Sequence, residues 1–221
     1  MKKDIFGYAI DKQWHYENGF YLTSHITRLS KLLSQYELYK SILNLPGHII
    51  ECGVYKGASL VRFATFREIL ESKYSRKIVG FDSFGKFPKQ DIAIDNEFIK
   101  VFENSGGPGI SVKELKHALE YKSLENIDLI QGDIVEVVPK YISDHPELKI
   151  ALLHVDVDVY KPTCIILKYF FEKIVKGGLI VFDDYGTVVG ETRAIDEYFK
   201  NRDVLIEKLP ISHIPSYIRK K

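Results

Sequence analysis

The apolar residues of this chain gather into short, nearly continuous runs separated by stretches of helical periodicity. The runs cover 48–54 (HIIECGV), 77–82 (KIVGFD), 127–133 (IDLIQGD), 149–157 (KIALLHVDV) and 178–184 (GLIVFDD). Their apolar positions are rich in β-branched residues and do not alternate with polar ones, as strands covered on both faces require. Two weaker runs, 204–210 and 216–221, predict a closing hairpin. Helical patterns fill the gaps, most clearly over 58–71 and 162–175. Pro162 stands near the first turn of the second, and Gly177-Gly178 ends it. Another helical pattern, 23–43, precedes a break at Pro46-Gly47. Strands alternating with helices predict an α/β fold with a mainly parallel sheet. A long insert over 83–110, aromatic and containing Gly-Pro, predicts an ordered flap.

Polar positions change this picture at one edge. Glu51, Asp82, Asp133, Asp156 with Asp158, and Asp183 with Asp184 all fall at or near the carboxyl ends of the strand runs. Open parallel sheets bind ligands in the crevice outside those ends, so the acidic rim predicts a site. In ECGVYKGAS, Gly53 and Gly57 allow a tight turn and a close backbone approach to a ligand. The spacing is not GxGxxG, and no GK[ST] follows, so neither a dinucleotide fingerprint nor a P-loop is present. Asp82, ending the second run, is placed to accept ribose hydroxyls. Asp156 and Asp158, two apart in an extended run, are expected on one face. With Asp183 and Asp184 on the neighbouring strand they make four carboxylates in one crevice, and a hard divalent cation with oxygen ligands would relieve their repulsion. His154 reads as a hydrogen-bonded core histidine, and His213 as an alternative base reaching the crevice from the last hairpin. Trp14, His15, Tyr16 and Tyr21 suit an aromatic lid or a dimer contact.

ECGVYKGAS, FDSFGKFP, LLHVDVDVYKPT and GGLIVFDDYG, in this order from about residue 45 to the C-terminus, together resemble the macrocin-type (TylF-like) metal-dependent sugar O-methyltransferases. The resemblance implies a Rossmann-like class I methyltransferase fold, with a central, mostly parallel seven-stranded sheet and helices on both faces. Residues 46–221 would form the S-adenosylmethionine-dependent domain, and 1–45 a helical lid or an oligomer segment. Glu51, Gly53, Tyr55, Gly57, Ala58 and Ser59 would line the methionine part of the cofactor. Asp82 would hold the ribose beside Ser83, Gly132 and Asp133 would border the adenine, and Asp156 would adjoin the cofactor. Asp156, Asp183 and Asp184 would bind Mg²⁺. Asp158, in reach of the acceptor hydroxyl, would be the general base, with His213 the alternative. The implied acceptor is a small-molecule sugar, nucleotide-linked or part of a glycoside or polysaccharide precursor.

Composition narrows the class without altering it. Of 221 residues, 31 are Lys or Arg and 30 Asp or Glu, a net charge of +1 that gives no case for nucleic acid or an anionic membrane as partner. Two cysteines, Cys52 and Cys164, make no disulfide framework and read as small buried thiols. The basic N-terminus lacks an apolar h-region and no run is long enough to cross a membrane, so a cytoplasmic location is expected. A homodimer or higher homo-oligomer is also expected. Phosphatases and glycosyltransferases use DxD motifs too. A phosphatase DxD, however, normally ends the first strand, and a glycosyltransferase reading leaves ECGVYKG and Asp82 without a task. A non-catalytic cofactor-binding module sits badly with four clustered aspartates.

Overall fold

A computed structural model describes residues 4–221. The chain begins with a small hairpin, β1 (Asp4–Ile5) and β2 (Tyr8–Ala9), followed by α1 (Gln13–Thr23) and α2 (Ile26–Lys40). Then come β3 (His48–Cys52), α3 (Ala58–Leu70), β4 (Ile78–Asp82), α4 (Ala93–Gly106), α5 (Val112–Tyr121), β5 (Ile127–Gln131) and α6 (Ile134–Asp144). The second half runs through β6 (Ile150–Val155), α7 (Tyr160–Phe170), β7 (Ile174–Phe182), α8 (Val189–Phe199), β8 (Glu207–Lys208) and β9 (Ser216–Arg219). Seven strands form one sheet in the order β5-β4-β3-β6-β7-β9-β8, parallel except where β9 meets β7 and β8. The expected fold class is therefore present. Strand order reverses between β3 and β6, the switch point where such sheets open a crevice.

Alternation along the strands builds two cores. Ile50, Cys52, Val79, Phe81, Leu153, Val155, Ile180 and Phe182 pack under α6, α7 and α8. Ile49, Ile78, Leu152, Leu179 and Val181 face the other way and pack with Leu38 and Tyr39 of α2, Ile42 just after it, and Leu60 and Phe63 of α3. The end of α2 thus belongs to the same core as the sheet. Cys52 is buried, and burial pushes its thiol well above the ordinary range; Cys164 is half-buried and also free. Among the described residues no helix is long and apolar enough to cross a membrane.

Three boundaries differ from the sequence expectation. Strand β6 stops at Val155, before either aspartate of DVD. Asp158 has a φ of +64°, in the left-handed region that Asp tolerates better than most residues. That turn breaks the two-residue alternation, so Asp156 and Asp158 do not share a strand face. Helix α7 starts at Tyr160, and β7 already begins at Ile174. The 83–110 insert is ordered around α4. Its Asp95 is buried, and Oδ2 accepts the backbone N–H of Tyr160 at 3.0 Å, which ties the flap to the start of α7.

Candidate active site

The two glycines of ECGVYKGAS serve chain packing. A Cβ on Gly53 (φ +92°) would fall on the carbonyl of Asp156, because the β3 and β6 loops cross there. A Cβ on Gly57 (φ +80°) would meet Leu115 Cδ1 of α5 at 2.7 Å. Asp82 shapes the same turn. Its Oδ2 accepts the N–H groups of Val54 (2.7 Å) and Tyr55 (2.9 Å), and its Oδ1 that of Phe84 (2.6 Å). Both oxygens expected to hold a ribose already hold backbone. Asp133 caps α6, accepting from Val135 N–H at 2.9 Å. Tyr55 donates its hydroxyl to Gly106 O at 2.7 Å and packs edge-on against Phe102, joining the turn to the flap.

Beneath the turn lies a buried polar line that follows from register. Glu51 pairs with His154 across β3 and β6, and His154 with Val181 across β6 and β7. Period-two alternation then turns Glu51, His154 and Asp183 to the α2–α3 side. His154 Nδ1 lies 3.2 Å from Glu51 Oε1, and Nε2 lies 3.4 Å from Asp183 Oδ1, an ion-pair contact without hydrogen-bond geometry. Ser59 donates its hydroxyl to Glu51 at one end, and Lys31 of α2 pairs with Asp183 at the other. Burial alone would lower His154, but the flanking Asp183 and Glu51 carboxylates push it up to about 10. Burial alone would raise Asp183, but His154 and Lys31 bring it to about 2.

Asp184 lies past the end of β7, and its Oδ1 accepts the Thr187 hydroxyl at 3.3 Å. Asp156, Asp158 and Asp184 each present an oxygen within 4.8 Å of the others. Burial, then mutual repulsion, raises Asp156 and Asp158 well above the carboxylate range and raises Asp184 as well. Glu191 of α8 is buried behind them, accepting from Asp184 N–H at 3.2 Å, and its carboxyl is raised well above its usual value by burial first and Asp184 second. A second possible ligand set, His154, Asp156 and Asp183, lies within the same spacing, but Lys31 and Glu51 already engage two of its members. The four aspartates thus divide differently from the sequence reading, with Asp158 joining Asp156 and Asp184 while Asp183 turns to Lys31.

One cavity of about 530 Å³ gathers most of the expected residues. Gly53, Tyr55, Ala58, Ser59, Asp82, Ser83, Gly132 and Asp133 line it, together with Asp156, Asp158, Asp183 and Asp184. Glu51 is fully buried below the floor, and Gly57 also lies outside the lining. His213 is exposed and outside it as well, with Ile214 in its place, so the hairpin does not bring the alternative base to the crevice. The aromatic lid is likewise absent from the lining. Trp14 and Tyr21 are exposed, and α1 buries no residue. Arg28 and Lys31 of α2, Arg62 of α3 and Phe102 of the flap line the cavity and were not expected. The spacing of Arg28, Lys31 and Gln35 along one helical face was the available signal for the first two.

The chain is 26% identical over 176 residues to demethyldecarbamoylnovobiocin O-methyltransferase of Streptomyces niveus, spanning 76% of this chain and 64% of that protein. It is 25% identical over 150 residues to a tetracenomycin rhamnosyl 4'-O-methyltransferase of Streptomyces olivaceus, of which 54% is spanned. The fold matches the crystal structure of CalS11, a calicheamicin methyltransferase, with a TM-score of 0.73 and 26% identity, over 95% of this chain and 85% of that one. The O-methyltransferase NovP shares the fold at 20% identity, with a TM-score of 0.75 over 87% of this chain and 80% of that one. The macrocin O-methyltransferase (TylF) family model matches residues 26–220, nearly the whole chain and every strand of the main sheet, and to that family this chain belongs.

Proposed function

We propose that this chain transfers a methyl group from S-adenosylmethionine to a hydroxyl of a sugar, with a divalent cation, Mg²⁺ by donor type, at the aspartate cluster. The observation that carries this reading is a single cavity joining the turn after β3 to four aspartates at the switch point of the sheet. Family membership supports the chemistry, and the sugar-modifying relatives support the acceptor class. The residues suit both ligands. The cavity volume is that of a small-molecule site, and Ile134, Phe102 and Pro162 supply apolar wall for an adenine beside Asp133. Asp156, Asp158 and Asp184 are hard oxygen donors that repel one another until a cation stands among them.

In this reading S-adenosylmethionine supplies an electrophilic methyl group, and the cation supplies Lewis acidity toward the hydroxyl oxygen. Asp156 and Asp184 would hold the ion, with Asp183, already paired with Lys31, adjoining it. Asp158 takes the hydroxyl proton on a carboxylate oxygen; burial first and Asp184 second raise its pKa above the ordinary carboxylate range, which strengthens it as a base. Lys31 and His154 keep Asp183 anionic. Phe87 and Phe102 of the flap cover the cavity and exclude water that would compete for the methyl group.

Methyl transfer from labelled S-adenosylmethionine to a panel of free, phosphorylated and nucleotide-linked sugars tests the reading. Turnover should appear with at least one sugar and require a divalent ion. Asp158→Asn should cut kcat by about a hundredfold or more. Full activity in Asp158→Asn would remove it as the base, and no product with any sugar despite cofactor binding would favour a non-catalytic module.

A further inference from the structure

Two arginines on the α2–α3 wall of the cavity have no task in the chemistry above. Arg28 of α2 and Arg62 of α3 line the cavity beside Lys31. Lys31 is matched by Asp183, but neither arginine has a carboxylate partner among the described residues. Arg62 is half-buried and donates to Gln35 Oε1 at 3.1 Å, a neutral acceptor. Gln35 is itself fully buried, and its Nε2 has no partner, so an unused donor stands behind the pair. Burial, and next the Arg28 charge, lower the pKa of Arg62, while the Asp183 and Glu51 carboxylates act weakly the other way. Two like charges on one cavity wall repel, and an anion seated between them would relieve that repulsion.

The methyl donor is a poor fit for that anion. Its sulfonium and ammonium outweigh its single carboxylate, so two arginines without carboxylate partners repel it as a whole. A phosphate group carries about two negative charges and accepts the planar guanidinium fork through two oxygens. We propose that Arg28 and Arg62 form an anion subsite that holds a phosphate or diphosphate borne by the acceptor sugar. The acceptor is then a phosphorylated or nucleotide-linked sugar and not a neutral glycoside. This rests on the methyltransferase reading and narrows its substrate class.

The test is calorimetric titration of inorganic pyrophosphate into protein saturated with S-adenosylhomocysteine, in EDTA so that no metal bridges the anion. Wild type should bind pyrophosphate. Arg28→Gln and Arg62→Gln should each weaken it by about tenfold or more, the loss of a charge-assisted hydrogen bond, while S-adenosylhomocysteine affinity stays within about twofold. Arg28 is exposed, so its substitution leaves the fold intact and keeps the test readable if Arg62→Gln is destabilised. Wild type that binds S-adenosylhomocysteine but not pyrophosphate, or variants that bind pyrophosphate as wild type does, would overturn the subsite. Variants that lose S-adenosylhomocysteine affinity instead would give the arginines to the donor carboxylate and also overturn it. Wild type that fails to bind S-adenosylhomocysteine would overturn the methyltransferase reading itself, a separate readout.

Discussion

Glu51, His154 and Asp183 stand in line across three adjacent strands, each almost wholly out of contact with water. Two buried carboxylates so close would repel strongly, and the imidazolium between them offsets that repulsion. Leaving the pair uncompensated is costly, so His154→Leu should destabilise the fold by about 3–5 kcal/mol in denaturant melts. His154→Gln, which keeps a donor, should cost clearly less. Equal losses in the two variants would show that packing, and not charge, sets the role of His154. The sequence identifies His154 as a buried polar residue on a strand, and that much holds. Its partners were not legible, because Glu51 lies 103 positions away and only register brings them together. Asp158 is the opposite case. The DVD spacing predicts a shared face, but a left-handed φ at Asp158 ends the alternation and sends its carboxylate to Asp184.

At the scale of elements, helices and strands were readable and their junctions were not. The five apolar runs all become strands; four are covered on both faces, and β5, at the sheet edge, is half-buried. The N-terminal helical pattern also forms. Its contribution to the site, however, comes from cations on α2 and not from aromatic residues on α1. A charged side chain on an amphipathic helix looks solvated in sequence, and only docking on α3 turns Lys31 inward. The β3–β6 loop crossing is the tightest point of the crevice, where Gly53 lets backbone pass backbone. Gly53→Ala should cost about 3 kcal/mol or more, through both the positive φ and the collision, measured as a fall in the urea midpoint. A loss below about 0.5 kcal/mol would mean the loops part easily.

For the whole molecule, the site is a store of electrostatic frustration that the proposed cation would release. Without metal, Asp156, Asp158, Asp184 and Glu191 have pKa values above those of an unfolded chain, as has His154, raised to about 10. The folded state therefore binds more protons than the unfolded one, and these groups subtract stability as pH rises above about 4, with His154 acting from about 6.5 up to about 10. Asp183, held at about 2, acts in the other direction only below about 4. In EDTA the thermal midpoint should fall between about pH 7 and pH 10, and His154→Gln should flatten that fall. At neutral pH, Mg²⁺ at about a hundred times its Kd should raise the midpoint by roughly 5–10 °C. A midpoint in EDTA that rises with pH would contradict the charge assignment.

On the proposed reading, one cavity holds a methyl donor beside a metal-dependent acceptor site. Calorimetric titration with S-adenosylhomocysteine, with and without Mg²⁺, tests it most directly. One binding site per chain is expected, and heat from Mg²⁺ should disappear in an Asp156→Asn, Asp184→Asn double variant that still binds S-adenosylhomocysteine. Absence of S-adenosylhomocysteine binding under both conditions would contradict it.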